Sequence, residues 1–201
     1  MTARVMFLDM AVRVIVILCW LALGAALLLR RRMQSESERA RRQTSMVGLG
    51  LQTAATAMTF VMRRPRFTPF LSLGVPIELG VVIATIVLGV GSAWLTIATI
   101  RTLGKQWSLA ARVVEHHSLV TEGPLGVVRH PIYTAMFGML LATGLAFSRS
   151  GVLLPAMVVY WIGAAIRIRS EEKLLREMFG QEFEAYVRRV PALFPRLLRG
   201  R

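Results

Sequence analysis

Residues 131–166 read PIYTAMFGMLLATGLAFSRSGVLLPAMVVYWIGAAI, which is two apolar runs separated only by the tripeptide SRS at 148–150. Each run is long enough for a helix. A connection of three residues forces two such helices to lie antiparallel. The stretch therefore predicts a helical hairpin in which the start of the helix over 131–147 lies beside the end of the helix over 151–166.

Three further apolar runs precede the hairpin, at residues 10–29, 46–62 and 77–100. An apolar run of about 20 residues can cross a bilayer as a helix. The basic triplet at 30–32 after the first run is typical of a stop-transfer flank and favours a helix over the alternative, a cleaved signal peptide. The second run is more polar because it carries Gln52 and threonines, but its small residues suit close helix packing. The chain is thus predicted to have about five transmembrane helices.

The basic residues divide unequally between the two sides of such a bundle. With five spans, 19 of the 25 lysines and arginines fall on the side of the C-terminus and six on the other. Loops rich in Lys and Arg stay in the cytoplasm. We therefore expect an integral membrane protein with the N-terminus outside and the C-terminus cytoplasmic, in the inner or plasma membrane if the source is bacterial.

The composition excludes several other classes of protein. A hydrophobic content of 55% excludes disorder, and a single cysteine, Cys19, excludes a disulfide scaffold. The basic residues lie beside apolar runs, so membrane lipids are the expected partners and nucleic acid is not. The run Glu115-His116-His117 has no metal-ligand spacing, since adjacent helical residues point about 100° apart. No metal site is predicted.

The C-terminal residues 170–190 read SEEKLLREMFGQEFEAYVRRV, with apolar residues at helical spacing and charges on the opposite face. This pattern predicts one amphipathic helix, lying on the bundle or on the membrane surface and ended by Pro191. The sequence as a whole predicts one all-α membrane domain over 1–201. Its three N-terminal transmembrane helices lie in 1–100, and the hairpin and the tail helix lie in 101–201.

Two polar groups are predicted to meet at one end of the hairpin. Pro131 suits the first position of a helix, which places His130 at the cap and Tyr133 in the first turn. Unpaired N–H groups and the helix dipole favour a bound carboxylate or phosphate there. Arg167 and Glu171 are four residues apart at the end of the second helix and share a face. Because the hairpin is short, we expect these four side chains to converge.

Each of these features has an ordinary structural explanation when it is taken alone. His130 could simply cap a helix, and Arg167 with Glu171 could be a surface ion pair worth about 0.3–0.5 kcal/mol. Their common position at the membrane boundary favours a functional site over these alternatives.

Five motifs occur in order between residues 100 and 196. They are H-x-L-V-x-x-G at 117–123, R-H-P-x-Y at 129–133, E-E-x-x-L at 171–175, F-G-x-E-F at 179–183 and V-P-x-x-x-P at 190–195. This ordered set resembles the isoprenylcysteine carboxyl methyltransferase family, which is related to the phospholipid N-methyltransferases. The first hundred residues resemble the family only in topology.

The resemblance implies an integral membrane enzyme that moves a methyl group from S-adenosylmethionine to a lipophilic acceptor, with residues 101–201 as the catalytic, cofactor-binding region. Arg167 would hold the carboxylate of the acceptor, and Arg167 and Glu171 are the candidate catalytic residues. Leu125 and Ala110 depart from the pattern, because eukaryotic members usually have a tyrosine and a glutamine there. The cofactor contacts that the resemblance implies are His117, Leu119, Val120, His130, Pro131, Tyr133 and Glu171.

The leading hypothesis is methyl transfer to the carboxylate of an isoprenylcysteine-like compound that enters from the bilayer. A carboxylate is already ionised at neutral pH and needs no general base, whereas an amine acceptor must first lose a proton. One alternative is a phospholipid N-methyltransferase. The other is a non-catalytic membrane scaffold on the same fold.

Overall fold

The structure is a computed structural model that describes residues 3–31, 42–71, 74–104 and 119–195. Within these ranges the chain forms helices and no β-strand beyond one isolated bridge between Arg63 and Ser148. The all-α fold is therefore confirmed. Its seven helices are α1 (Ala3–Arg31), α2 (Arg42–Val61), α3 (Val75–Leu103), α4 (Pro124–Val127), α5 (Pro131–Phe147), α6 (Ser150–Phe179) and α7 (Gln181–Arg189).

Three of the helices are long and apolar enough to cross a membrane by length and composition, namely α1 from Phe7 to Leu28, α3 and α6. Residues 46–61 of α2 and the whole of α5 are shorter apolar helices. Large apolar side chains such as Leu18, Trp94 and Ile162 are more than half exposed on the outside of the bundle. Such faces suit contact with lipid, so the structure agrees with a membrane bundle built from these five helices.

The five long helices pack in two sets that meet at α5. Helix α2 lies along α6, α3 lies along α5, and α1 packs against α3 and α5. Helices α2 and α6 approach closely at Gly48 and Gly163, because a Cβ atom added at Gly48 would lie 2.6 Å from the carbonyl oxygen of Gly163. Small residues let helix backbones approach this closely in membranes. Gly48 and Ala55 therefore serve packing, as the sequence predicts, whereas Gly50, Ala54 and Ala57 of the same helix are exposed.

The α5–α6 hairpin is confirmed, and its connection is held by α2. Only Ser148 and Arg149 separate the two helices. The Ser148 hydroxyl donates to the carbonyl oxygen of Thr59 at 2.8 Å, and the Arg149 N–H donates to the carbonyl oxygen of Met62 at 3.2 Å. The end of α2 thus satisfies the polar groups of the turn, and the two helices are fixed antiparallel.

The tail differs from the single amphipathic helix that the sequence predicts. Helix α6 runs without a break from the apolar hairpin through the charged residues to Phe179. Its one proline, Pro155, lies near the start of the helix, and no proline follows it before Phe179. The break comes at Gly180, whose φ of 49° is a left-handed conformation that favours glycine. The prediction of one separate tail helix is therefore wrong: its first half extends α6, and only α7 is a distinct element.

Candidate active site

The N-terminus of α5 forms the centre of the site. Pro131 lies in the first turn, and His130 immediately before it is the N-cap residue, with 7% of its surface exposed. The His130 carbonyl oxygen accepts the N–H groups of Tyr133 at 3.1 Å and Thr134 at 3.2 Å. The proline needs no N–H partner at this position, so the helix begins here, as the sequence predicts.

The C-terminal segment after α7 holds this cap in place. The N–H groups of Arg129 and His130 donate to the carbonyl oxygens of Pro191 at 2.8 Å and Ala192 at 2.9 Å. The Thr134 hydroxyl donates to the carbonyl oxygen of Leu193 at 2.6 Å. The V-P-x-x-x-P motif therefore has a definite structural task, which is to satisfy the buried polar groups of the cap from outside the helix.

Arg167 and Glu171 of α6 meet Tyr133 of α5 across the hairpin. The Tyr133 hydroxyl donates a short hydrogen bond to Glu171, and Arg167 Nε donates to the same hydroxyl oxygen at 2.8 Å. Arg167 Nη2 lies 3.7 Å from Glu171 Oε1, and its guanidinium lies 5.3 Å from the centre of the Tyr133 ring. Arg167 is 5% exposed, so this guanidinium is buried and oriented by its neighbours on α5.

Glu172, the next residue of α6, collects a second set of cations. Its carboxylate lies 2.7 Å from Arg129 Nη2, 3.2 Å from His130 Nε2 and 3.2 Å from Arg176 Nη2. Glu172 is 8% exposed, and a buried carboxylate is stable only when it is paired and hydrogen-bonded. Adjacent glutamates thus perform different tasks, since Glu171 faces Tyr133 and Arg167 while Glu172 joins α6 to the segment before α5.

His130 lies between the two carboxylates. Its Nε2 is 3.2 Å from Glu172 Oε1 and its Nδ1 is 3.7 Å from Glu171 Oε2. Burial acts to lower the pKa of His130, but the hydrogen bonds and charges of Glu171 and Glu172 outweigh it, and the pKa lies above its ordinary value. The ring is therefore disposed to carry a positive charge and to donate from both nitrogens.

Tyr160 supports this arrangement from the middle of α6. Its side chain is 1% exposed, and its hydroxyl donates to the carbonyl oxygen of Tyr133 at 2.7 Å. Tyr133 is thus fixed at its backbone by Tyr160 and at its hydroxyl by Glu171 and Arg167. A belt of interfacial aromatic residues does not explain Tyr160, because a belt residue would face the membrane surface rather than the core.

The segment before α5 packs on α7. Leu119 and Val120 are half-buried, and Leu119 contacts an apolar cluster formed by Phe183, Tyr186 and Val190. The Tyr186 hydroxyl donates to the carbonyl oxygen of Leu125 at 2.6 Å. Burial raises the pKa of Tyr186 to about 12, which keeps the hydroxyl neutral as a donor. Leu125 is buried in this packing.

The predicted site residues therefore fall into three groups. His130, Pro131, Tyr133, Arg167 and Glu171 converge at the end of the hairpin, as expected. Leu119 and Val120 lie on the neighbouring segment. His117 and the departure at Ala110 lie outside the described residues.

The interpretation of the sequence missed two members of the cluster as site residues. From the sequence, Arg129 can be interpreted as a lipid anchor, and Glu172 as one of several candidates for a general base. The R-H-P and E-E motifs could have indicated both residues. Each motif contains one charged residue, Arg129 or Glu172, in addition to the four side chains that are predicted to converge. Within the described ranges, no group of three or more His, Cys, Asp or Glu side chains could hold a metal ion.

A model of the phospholipid methyltransferase family matches residues 80–182, half of the chain, and this range contains every residue of the charged cluster. The chain belongs to the phospholipid methyltransferase family. The family match begins within α3 and ends within α7, so α1 and α2 lie outside it.

The relatives of this family member fall into two groups by name, isoprenylcysteine O-methyltransferases and metal resistance proteins. Protein-S-isoprenylcysteine O-methyltransferase B of Arabidopsis thaliana is 34% identical over 96 residues, which cover 47% of this chain and 49% of the relative. Protein-S-isoprenylcysteine O-methyltransferase of Schizosaccharomyces pombe is 33% identical over 87 residues, covering 43% and 37%. Nickel-cobalt-cadmium resistance protein NccN of Alcaligenes xylosoxydans xylosoxydans is 34% identical over 118 residues, covering 57% and 53%.

The chain spans about half the length of the curated relatives it matches. Two of the three relatives are named isoprenylcysteine O-methyltransferases, so the resemblance that the motifs indicate is confirmed.

Proposed function

We propose that this family member is an integral membrane methyltransferase that transfers a methyl group from S-adenosylmethionine to a lipophilic acceptor. The observation that carries the proposal is the hydrogen-bonded Arg167–Tyr133–Glu171 group, in which Arg167 and Tyr133 are buried, and which lies at one end of membrane helices and within the family match. Ionisable residues within a membrane bundle are energetically costly, and those that occur there commonly mark a functional site. This group therefore supports a reaction site rather than a surface ion pair.

The residues present suit S-adenosylmethionine by their chemistry. The ammonium group of that molecule and the hydroxyls of its ribose can donate hydrogen bonds to the Glu171 carboxylate, 24% of whose side chain is exposed. The positive charge of the sulfonium is attracted to the same carboxylate. Half-buried Leu119 and Val120 offer apolar surface nearby. When bound, S-adenosylmethionine supplies the activated methyl group. His117, His130, Pro131 and Tyr133 complete the proposed cofactor contacts.

The residues of the chain supply orientation and a water-poor environment. The planar guanidinium group of Arg167 can bind a carboxylate through two parallel hydrogen bonds. Tyr133 and Glu171 hold it in one orientation. Burial excludes water from the guanidinium, which strengthens its interaction with an acceptor anion. We therefore assign Arg167 to the acceptor and Glu171 to the cofactor.

The state of His130 favours a carboxylate acceptor over an amine. An amine must lose its proton to a general base. An efficient base has a pKa near the working pH and must be deprotonated before it accepts that proton. His130 Nε2 lies 3.2 Å from Glu172 and Nδ1 lies 3.7 Å from Glu171, so both ring nitrogens are engaged by carboxylates of the chain. Glu172 is engaged by Arg129 and Arg176. The acceptor of this proposal is accordingly the carboxylate of an isoprenylcysteine-like compound.

A phospholipid amine is the second candidate acceptor, and the name of the matching family favours it. In either case the acceptor would enter sideways from the bilayer. By the distribution of basic residues, the cluster would face the cytoplasm, with the N-terminus on the opposite side.

Calorimetric titration with S-adenosylhomocysteine tests the cofactor site in detergent-purified protein. We expect micromolar binding that is lost in Glu171→Ala and retained in Glu182→Ala, which removes an exposed carboxylate from α7. Equal affinity in both variants would remove Glu171 from the cofactor site. The absence of binding in a folded wild-type sample would favour the non-catalytic scaffold.

Transfer of radiolabelled methyl groups separates the acceptors. We expect transfer to a prenylcysteine analogue, and loss of this transfer in Arg167→Ala with cofactor affinity preserved. Labelling of phosphatidylethanolamine instead would establish the lipid amine as acceptor. Unchanged turnover in Arg167→Ala would remove that residue from the acceptor site.

A further inference from the structure

A second buried charged group lies at the opposite end of α5, and we call it the Asp9 cluster (Asp9, Arg13 and Arg64). Asp9 Oδ2 is 3.0 Å from Arg13 Nε, and Asp9 Oδ1 is 3.4 Å from Arg64 Nη2. Only 10–13% of each of the three side chains is exposed. The 17-residue helix α5 separates this cluster from the His130 cap by about 24 Å, so it takes no part in the reaction site.

The cluster carries more positive than negative charge. Two guanidinium groups face one carboxylate, and Asp9 also accepts the Phe67 N–H at 3.2 Å. The nearest further acid is Glu78, whose two oxygens accept the N–H groups of Phe70 at 3.0 Å and Leu71 at 2.8 Å. The Glu78 charge also acts on Arg64, but among the described residues Asp9 is the one carboxylate that forms an ion pair with the two guanidinium groups.

Guanidinium donors in the cluster are also left without acceptors. Arg64 Nη1 donates to the carbonyl oxygen of Leu145 at 2.7 Å, but Arg64 Nε, Arg13 Nη2 and Arg13 Nε are buried and make no hydrogen bond to the described residues. Of these three, Arg13 Nε is paired with the charge of Asp9. A buried donor without a partner costs about 1–3 kcal/mol, and more when it is charged. The other two donors, Arg13 Nη2 and Arg64 Nε, suit an anion with at least two oxygen acceptors.

The surroundings make this an anion site of defined chemistry. The Phe147 ring lies 5.6 Å from the Arg13 guanidinium, and the Phe70 ring lies 5.6 Å from that of Arg64. Burial lowers the pKa of Arg64, although the charge of Asp9 acts against it. Guanidinium groups between apolar rings bind a desolvated oxyanion in bidentate fashion, and phosphate has the matching geometry.

The depth of the cluster identifies where such an anion comes from. Asp9 lies two residues after Phe7, where the membrane helix of α1 begins, and the long side chain of Arg13 reaches back to it. Arg64 follows the end of α2, and exposed arginines 63, 66 and 149 lie on the same end of the bundle. Lipid phosphates lie at this boundary between apolar helix and loop.

We propose that the Asp9 cluster binds the phosphate of an anionic membrane lipid, with Arg13 Nη2 and Arg64 Nε as its donors. A phosphodiester of a lipid without a cationic headgroup carries one negative charge, which equals the surplus of the cluster. The site is distinct from the acceptor site, and it holds the ends of α1, α2 and α5 to the membrane boundary.

The experiment measures thermal unfolding of the full chain in an uncharged detergent with three additives. These are a short-chain phosphatidylglycerol, a diacylglycerol with the same chains, and inorganic phosphate. At roughly 100 times Kd, we expect phosphatidylglycerol to raise Tm by about 5 °C or more and diacylglycerol to leave it unchanged. The shift should vanish in Arg13→Gln and persist in Arg149→Gln, which removes an exposed arginine from the same end of the bundle.

Arg13→Gln is preferred to Arg64→Gln because Arg64 also holds the α5 carbonyl of Leu145. If Arg13→Gln does not fold, Arg13→Lys keeps the charge beside Asp9 and should still reduce the shift, since an ammonium lacks the planar fork. Equal shifts with phosphatidylglycerol and diacylglycerol, or a full shift in the folded Arg13 variant, would overturn the proposal. An equal shift with inorganic phosphate would keep the phosphate site and overturn its lipid source. Methyl transfer enters none of these measurements.

Discussion

Replacing Gly48 with alanine tests how the contact between α2 and α6 positions the site. A Cβ atom at residue 48 would lie 2.6 Å from the carbonyl oxygen of Gly163 and 2.6 Å from Cγ of Arg167. The arginine stem is flexible, but the Gly163 oxygen belongs to a helix backbone, so α2 and α6 must separate. Gly50→Ala is the matched control, because it lies two residues away on the same helix and its Cβ would meet nothing within 4 Å.

The magnitude follows from two opposing effects. Alanine in place of glycine within a helix stabilises it by about 0.5–1 kcal/mol, and both variants gain this amount. Overpacking at residue 48 costs about 1–3 kcal/mol, and only Gly48→Ala incurs it. We therefore expect the Tm of Gly48→Ala to lie below that of Gly50→Ala by roughly 3–10 °C, at about 2–4 °C per kcal/mol for a chain of this size.

Tryptophan fluorescence during heating in detergent measures both Tm values, and calorimetry with S-adenosylhomocysteine follows the site. We expect Gly50→Ala to bind like the wild type. Gly48→Ala should raise the KM for the acceptor more than it weakens cofactor binding, because the added atom presses on Arg167. Equal Tm values in the two variants would refute the inferred helix contact, and a higher Tm in Gly48→Ala would do so more strongly.

Three further changes test the charged cluster. Glu172→Gln leaves Arg129 and His130 facing a neutral amide and should lower the free energy of unfolding by about 3 kcal/mol, measured by thermal unfolding; an unchanged Tm would contradict the pairing. Because the folded pKa of His130 is raised, its stabilisation is complete below the unfolded value of 6.5 and is lost as pH rises through the folded value. Unfolding between about pH 6 and pH 9 should show this decline in the wild type and not in His130→Gln, and equal slopes would exclude it. Tyr160→Phe removes the donor to the Tyr133 carbonyl oxygen and should cost about 1 kcal/mol together with some affinity for S-adenosylhomocysteine, and undiminished affinity would separate Tyr160 from the site.

Much of the candidate site could be predicted because it depends on short-range rules. Pro131 fixes where α5 begins, so His130 and Tyr133 take their places at its cap. Helical spacing puts Arg167 and Glu171 on one face. The two-residue turn between α5 and α6 then brings the two pairs together without any knowledge of the other helices.

Other features needed the tertiary structure because they depend on distances between elements that are far apart in sequence. The sequence cannot say that Glu171 faces Tyr133 while Glu172 faces Arg129, since a rotation of α6 by about 100° would put Glu172 in the place of Glu171. It also cannot show that residues 191–193 return to the α5 cap. Near-continuous amphipathic spacing across Gly180 hides the break that lets α7 fold back.

The sequence by itself determined the all-α class, the apolar helices, the hairpin and the four side chains that meet at its end. Each of these follows from local chemistry: the hydrophobic runs, a proline, and a turn too short to allow any other arrangement. Only the tertiary structure determined which residues pair with the charged side chains and how closely α2 approaches α6. Those outcomes depend on the packing of whole helices, where one ångström of separation determines whether a hydrogen bond or an ion pair forms.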